Sequence, residues 1–322
     1  MRRTGNNAAV LRGAPRIEHT LALKLADVTV TAMASFAAAL VLFDGTWHPH
    51  WVASFAGFAF IALGLVSLRA LGDLQDRWPR MRIFHTLGNF WLLPTVIVGH
   101  FSLGPIVDSA HPRLLDAELA QLDLRLFGVH PSIWLGNAVG PVVTEFVMLC
   151  YYGYFLGPVI LGALLFAKRR TEAYAEYVLA LALYFCANYA FYVVVPAVGP
   201  RFYLAQLFDQ PLTGLWLTST LDGLMRTPVY NRDCFPSGHT GVTLTVLTFA
   251  WRYHRTYFWA WLPVGTGLIA GTLIGRFHYG IDLLAAVPLV VTVVAVSAVA
   301  ARAAALGVPE RALRAVRNLA RT

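Results

Sequence analysis

Long apolar runs recur along this chain, separated by short polar or basic connections. A membrane-crossing helix needs about 20 mostly apolar residues. Eight segments fit that template, roughly 21–43, 51–71, 84–107, 141–167, 174–196, 236–251, 257–277 and 282–305. The sixth is short in its strictly apolar stretch, and only a brief polar interruption around His278 separates the last two. The pattern predicts an all-α, polytopic integral membrane bundle. It shows no second composition regime, Ser/Gly-rich linker or internal repeat.

Two connections are too long to be turns. In 112–128, Leu115, Leu119, Leu122 and Leu126 recur at three- and four-residue spacing, with Asp116, Glu118, Asp123 and Arg125 between them. This predicts an amphipathic helix lying in the interface. The other, 197–235, carries Gly199-Pro200-Arg201, several aromatics and Asp222-Gly223, and reads as a lid or wall. From Val308 onward the tail is a basic amphipathic surface helix. The first span follows a basic N-terminus without a small-residue cleavage site, so it reads as a retained signal anchor.

Composition reinforces the membrane reading. The chain is 57% hydrophobic and 13% charged, against about 25% charged in a soluble domain. Its net charge of +8 is not a nucleic-acid signature, because the basic residues sit in short connections and tails. Arg2, Arg3, Arg12 and Arg16, Arg69, Arg77, Arg80 and Arg82, Lys168-Arg169-Arg170, Arg252 and Arg255, and Arg311, Arg314, Arg317 and Arg321 all fall on one side of an eight-span topology. Basic loops favour the cytoplasm and meet anionic lipid headgroups there, so both termini are expected inside. Usage rich in Ala, Arg, Gly and Val suggests the plasma membrane of a GC-rich bacterium. The three cysteines form no disulfide framework and no metal spacing. Cys150 and Cys186 read as packing residues; Cys234 is set apart by its place beside a polar motif.

That motif is Cys234-Phe235-Pro236-Ser237-Gly238-His239-Thr240, followed by His278-Tyr279-Gly280-Ile281-Asp282. Both stretches stand at the ends of apolar segments, on the predicted extracytoplasmic side. There a His or Asp is costly unless it is paired or lines a polar cavity. Two imidazoles and a carboxylate suit phosphoryl transfer: one imidazole takes the phosphoryl group, the other protonates the leaving oxygen, and the carboxylate orients the first. The four-residue spacing of His278 and Asp282 places them on one face if that segment is helical. Pro236 suits a helix first turn, whose unpaired N–H groups attract anions. Ser237 adds a hydroxyl donor there, and Gly238 allows close approach of a phosphate. Arg201, Arg232 and Arg276 are the candidate cations, Arg201 foremost, and Arg276 has Asp282 as an alternative partner.

CFPSGHT followed by HYGID resembles the type 2 phosphatidic acid phosphatase superfamily. The resemblance implies a helical membrane core from about 84 to 300 and a phosphohistidine mechanism without cofactor or metal. It implies His278 as nucleophile, Asp282 as its partner and His239 as general acid, with Ser237 and Gly238 binding phosphate. The chain lacks any Arg-Pro dipeptide, and Gly271-Thr272 stand where lipid phosphatases carry Ser-Arg. In this it is similar to the branch containing inositol phosphorylceramide synthase and sphingomyelin synthase and its bacterial relatives. Asp123-Leu124-Arg125-Leu126-Phe127-Gly128 and Gly199-Pro200-Arg201 also resemble segments of that branch. The expected substrate is a membrane phospholipid or lipid phosphate, with water or an alcohol such as inositol as acceptor. A phosphatidic acid or polyprenyl phosphate phosphatase is the alternative, and a non-enzymatic transporter a more distant one.

The expected organisation is a cytoplasmic basic tail at 1–20, two transmembrane helices and a basic loop at 21–83, a catalytic membrane domain at 84–305 and a basic amphipathic tail at 306–322. His100 and Glu145 read as helix-packing polar residues, and Asn188 as interhelical glue. His48 and His50 have no third metal ligand nearby in sequence. Trp47, Trp51, Tyr151, Tyr152, Trp259 and Trp261 read as interface belts.

Overall fold

An apolar segment in lipid must satisfy its backbone polar groups internally, which makes the long runs helical. The computed structural model describes residues 20–306, apart from 45, 112 and 221–231 and the side chains of 304 and 305. The N-terminal tail, the C-terminal tail helix and Asp222-Gly223 lie outside the described residues. Helices α1 (Leu21–Phe43) and α2 (Trp51–Asp73) form the first two expected spans.

The expected third span is broken into α3 (Arg82–Asn89), α4 (Leu92–Ser102) and α5 (Gly104–Ala110). The expected fourth is split into α8 (Pro141–Tyr152) and α9 (Leu156–Ala167). The bend is 47° both between α4 and α5 and between α8 and α9. The breaks fall at Gly104-Pro105 and at Gly153, residues that interrupt a helical ladder. Between the two bent spans lie α6 (Asp116–Phe127) and α7 (Pro131–Ala138); only the first was expected.

Helix α10 (Thr171–Val194) is followed by the short α11 (Pro200–Tyr203), then α12 (Gly238–Tyr253), α13 (Arg255–Ile274) and α14 (Gly280–Ala305). Among the described residues five helices are individually long and apolar enough to cross a membrane, and up to seven spans result if each bent pair counts as one. Helix α12, the expected sixth span, has only 16 residues, about 24 Å. It packs against α10, α13 and α14 and buries Val242, Val246, Phe249 and Ala250. The protein is an all-α polytopic membrane bundle.

Side-chain bridges show which connections share an end. Arg69 at the end of α2 binds Asp27 of α1 through both carboxylate oxygens (2.8 and 3.0 Å) and Asn89 of α3 at 2.7 Å. The Tyr174 hydroxyl donates to Asn89 O, and Lys168 meets His254 at 2.8 Å. The arginine-rich connections therefore gather at one end. At the other, Asp108 pairs with His48 (3.2 Å) and Arg232 (2.8 Å), and Leu115 N donates to Pro196 O. Over that end Leu119, Ala120, Ala197, Leu204, Cys234 and Tyr279 form a small second core.

Candidate active site

The site begins where α12 and α14 start, side by side. Helix α12 opens two residues later than a proline at its first position would require. Ser237 is its N-cap, its Oγ accepting from Thr240 N at 3.2 Å, and Pro236 lies outside the helix. Asn188 of α10 donates to Pro236 O (2.8 Å) and the Tyr184 hydroxyl to Ser237 O (3.0 Å). These bonds bear out Asn188 as glue and lock the motif turn onto α10. A Cβ at Gly238 would lie 2.9 Å from both Asn188 Oδ1 and the Tyr192 hydroxyl. That approach to α10 alone demands glycine here. Among the described residues, the N–H groups of Gly238 and His239 meet no acceptor. Such unpaired donors at a helix start form an anion site.

His278 precedes α14, so its contact with Asp282 crosses a turn and does not run along a helix face. Its Nδ1 lies 2.8 Å from Cys234 O and 3.2 Å from Asp282 Oδ2. A carbonyl can only accept, so the proton sits on Nδ1 and the lone pair on Nε2. Asp282 is fully buried and reaches back from the third helical position to Tyr279 N at 2.8 Å, one half of a capping box. Cys234 Sγ donates to the same Oδ2 at 3.0 Å. Burial, then the Asp282 carboxylate, push the Cys234 thiol well above its usual pKa, which keeps Sγ a donor and opposes a free reactive thiolate.

The two histidine rings are 6.0 Å apart between centroids. Tyr151 stacks on His239 (4.4 Å, 18°) and on Phe277 (4.4 Å, 6°), while Tyr154 leans on His239 at 4.3 Å. Sequence patterning placed Tyr151 in an interface belt; here it is buried and fixes the orientation of His239.

The arginines occupy the neighbouring rim. Gly199 has φ 86°, and a Cβ there would come within 2.6 Å of Phe277 O. This turn lets Arg201 N donate to Arg276 O at 2.8 Å. The Arg201 guanidinium lies over Phe277 (5.1 Å). Arg276, at φ 67°, does not turn to Asp282: it lies over Phe208 (4.0 Å) and donates to Gln210 O at 2.7 Å. Both arginines line a cavity of about 470 Å³ with Asp209 and Gln210. Arg232 is engaged by Asp108.

The largest departure from expectation is α6. Its buried stripe is Asp116, Leu119, Ala120 and Asp123, while Leu122, Leu124 and Leu126 are exposed. Asp116 accepts from Val198 N (3.0 Å), Gly199 N (2.8 Å) and the Tyr279 hydroxyl (2.9 Å). Asp123 accepts from Gly280 N (2.9 Å) and Ile281 N (2.8 Å), the first donors of α14. Burial raises Asp123 to a pKa of about 6, against the pull of those two N–H groups. The acids thus clamp the Gly199 turn and the start of α14. Their i, i+3, i+4, i+7 spacing was a sequence signal for this face, but the leucine stripe masked it. Glu145 similarly accepts from the N–H groups of Leu215, Trp216, Leu217 and Thr218 (2.6–3.2 Å), tying α8 to the wall segment. His100 lies 3.6 Å from Asp233.

A family model described as PAP2 superfamily matches residues 117–296. That stretch runs from α6 through both motif turns into α14. No curated protein and no solved structure matches the chain.

Proposed function

We propose, from the premise that this chain belongs to the PAP2 superfamily, that it cleaves a lipid phosphoester through a phosphohistidine. The observation that carries this reading is His278 with Nδ1 bonded to Cys234 O and Asp282, and with the His239 ring 6.0 Å away between centroids. Nε2 attacks phosphorus as the bond to the leaving oxygen breaks, and His239 gives that oxygen its proton. Water or an alcohol, deprotonated by His239, then takes the phosphoryl group from Nε2. Asp282 balances the positive charge that develops on His278. The N–H groups of Gly238 and His239, the Ser237 hydroxyl and Arg201 face the phosphoryl charge, so the chemistry needs no metal. With the arginine-rich connections in the cytoplasm, the site opens extracytoplasmically and takes lipid from the outer leaflet.

The acceptor divides two readings. The cavity lined by Arg201, Arg276, Asp209 and Gln210 is much larger than a water needs and suits a polyol, which favours the inositol phosphorylceramide synthase-like transferase. Hydrolysis of phosphatidic acid or a polyprenyl phosphate is the other reading. The test uses detergent-purified protein under chelation, with lipid phosphates and phospholipids, with and without inositol. An acid-labile, base-stable phosphoenzyme in wild type, absent in His278→Gln, is expected. Free phosphate identifies a phosphatase; an alcohol-dependent phosphomonoester from a lipid phosphate, or phosphodiester from a phospholipid, identifies a transferase. Equal turnover by wild type and His278→Gln would overturn the phosphohistidine, and no turnover by either across the substrates would promote a transporter.

A further inference from the structure

Spacing along the chain offered no metal site, yet the fold brings three ligand types together from residues 44 and 48 positions apart. Cys234 Sγ, His278 Nδ1 and Asp282 Oδ2 lie within 4.8 Å of one another. Their separations are 3.7 Å for Sγ to Nδ1, 3.0 Å for Sγ to Oδ2 and 3.2 Å for Nδ1 to Oδ2. A tetrahedral zinc ion with ordinary bond lengths holds its S, N and O ligands about 3.3–3.6 Å apart. Opening the Sγ–Oδ2 separation by about 0.6 Å and releasing Nδ1 from Cys234 O therefore turn this cluster into three corners of such a site. The other oxygen of that carboxylate, Asp282 Oδ1, is buried and has no hydrogen-bond partner among the described residues, which leaves it open to bidentate coordination. A buried carboxylate oxygen without a donor is one that a cation would satisfy.

Charge also fits. A divalent ion bound by a thiolate, a carboxylate and a neutral imidazole gives a cluster with no net charge, the least costly state in a buried setting. Thiolate and imidazole together select a thiophilic cation over Mg²⁺ or Ca²⁺.

We propose that Cys234, His278 and Asp282 form an inhibitory site for a thiophilic divalent cation such as Zn²⁺ or Cd²⁺. Binding displaces one proton, from the Cys234 thiol to solvent. The His278 proton moves from Nδ1 to Nε2 as the metal takes the Nδ1 lone pair. Nε2 then carries hydrogen and has no lone pair for phosphorus. The metal does not have to reach the phosphate pocket, because it disables the nucleophile from behind. The binding site stands on geometry alone, whereas the inhibition rests on His278 being the nucleophile.

The experiment titrates Zn²⁺ and Cd²⁺ into chelator-stripped, detergent-purified protein. It follows bound metal by equilibrium dialysis, the Cd²⁺–thiolate absorption band, and turnover of a lipid phosphate. One ion per chain is expected, with a thiolate band, loss of turnover in proportion to occupancy, and recovery on chelation. Cys234→Ser should weaken binding at least tenfold and remove the band; Cys150→Ser should change neither. If Cys234→Ser does not fold, the band must survive Cys150→Ser and Cys186→Ser in wild-type background. No ion bound by wild type, or equal binding by Cys234→Ser, overturns the site. Stoichiometric binding with full turnover overturns the inhibition. If His278→Gln shows His278 is not the nucleophile, metal binding still reports on the site separately.

Discussion

Asp123 lies 157 residues from the backbone groups it holds, yet it sets where α14 starts and hence where His278 and Asp282 stand. Replacing fully buried Asp123 with Ala leaves the buried N–H of Gly280 and the part-buried N–H of Ile281 without an acceptor. Each orphaned buried donor costs about 1–3 kcal/mol, so Asp123→Ala should lose about 2–6 kcal/mol. Asp123→Asn keeps one oxygen and turns an amide N–H₂ toward the second donor, so about 1–3 kcal/mol is expected. If half of the Asn loss appears as misplacement of His278 in the transition state, turnover falls about 2–12-fold, at 1.36 kcal/mol per factor of ten. The assay pairs thermal unfolding in detergent with kcat and KM on a lipid phosphate. The expected pattern is a lower kcat with KM nearly constant, because Asp123 positions the nucleophile and touches no substrate. Glu118→Gln, on the exposed face of α6, is the control and should stay within about 0.5 kcal/mol of wild type. Asp123→Ala with unchanged melting and unchanged kcat would refute the clamp.

Two further outcomes follow from the same region. Because burial raises Asp123 from 3.8 to about 6, the folded state holds this proton more tightly than the unfolded chain. Its stabilising contribution is full below pH 4 and is lost as pH rises through about 6. The difference in melting temperature between wild type and Asp123→Asn should therefore change across pH 4–6.5 and stay flat above it. A constant difference across that window contradicts the assignment. Gly199→Ala places a Cβ 2.6 Å from Phe277 O at φ 86°. It should destabilise by about 1–3 kcal/mol, read in the same thermal assay, and reduce turnover by shifting Arg201; an unaffected variant would mean the turn relaxes freely.

How legible each feature was depended on the range of the interactions behind it. Apolar length alone marked the spans, because lipid leaves a long apolar run little alternative to helix. The breaks in the third and fourth spans and the 16-residue α12 depart from that rule. The pairing of His278 with Asp282 was readable because the two residues are four apart, although they meet across a turn. Gly238 reads in sequence as room for a phosphate, whereas the neighbours that crowd it in the structure, Asn188 and Tyr192, sit on α10.

Helix α6 shows where local pattern fails. Four leucines at helical spacing outweighed two acids by hydrophobicity, yet the acids are inside, and Leu122 and Leu126 of that stripe face outward. In a membrane the outside of the bundle is itself apolar, so an exposed leucine costs little. An unsatisfied N–H at the start of α14 or in the Gly199 turn costs more, and Asp123 and Asp116 answer it. The same holds for Cys234, whose neighbours in sequence say nothing of the His278 and Asp282 side chains beside it. The sequence by itself determined the membrane helices, the motif turns and the residue types that carry the chemistry, since each depends on neighbours close in the chain. Tertiary structure alone decided which acids point inward, where Arg201 and Arg276 face and which groups share the nucleophile, because backbone donors far apart in sequence must find buried acceptors.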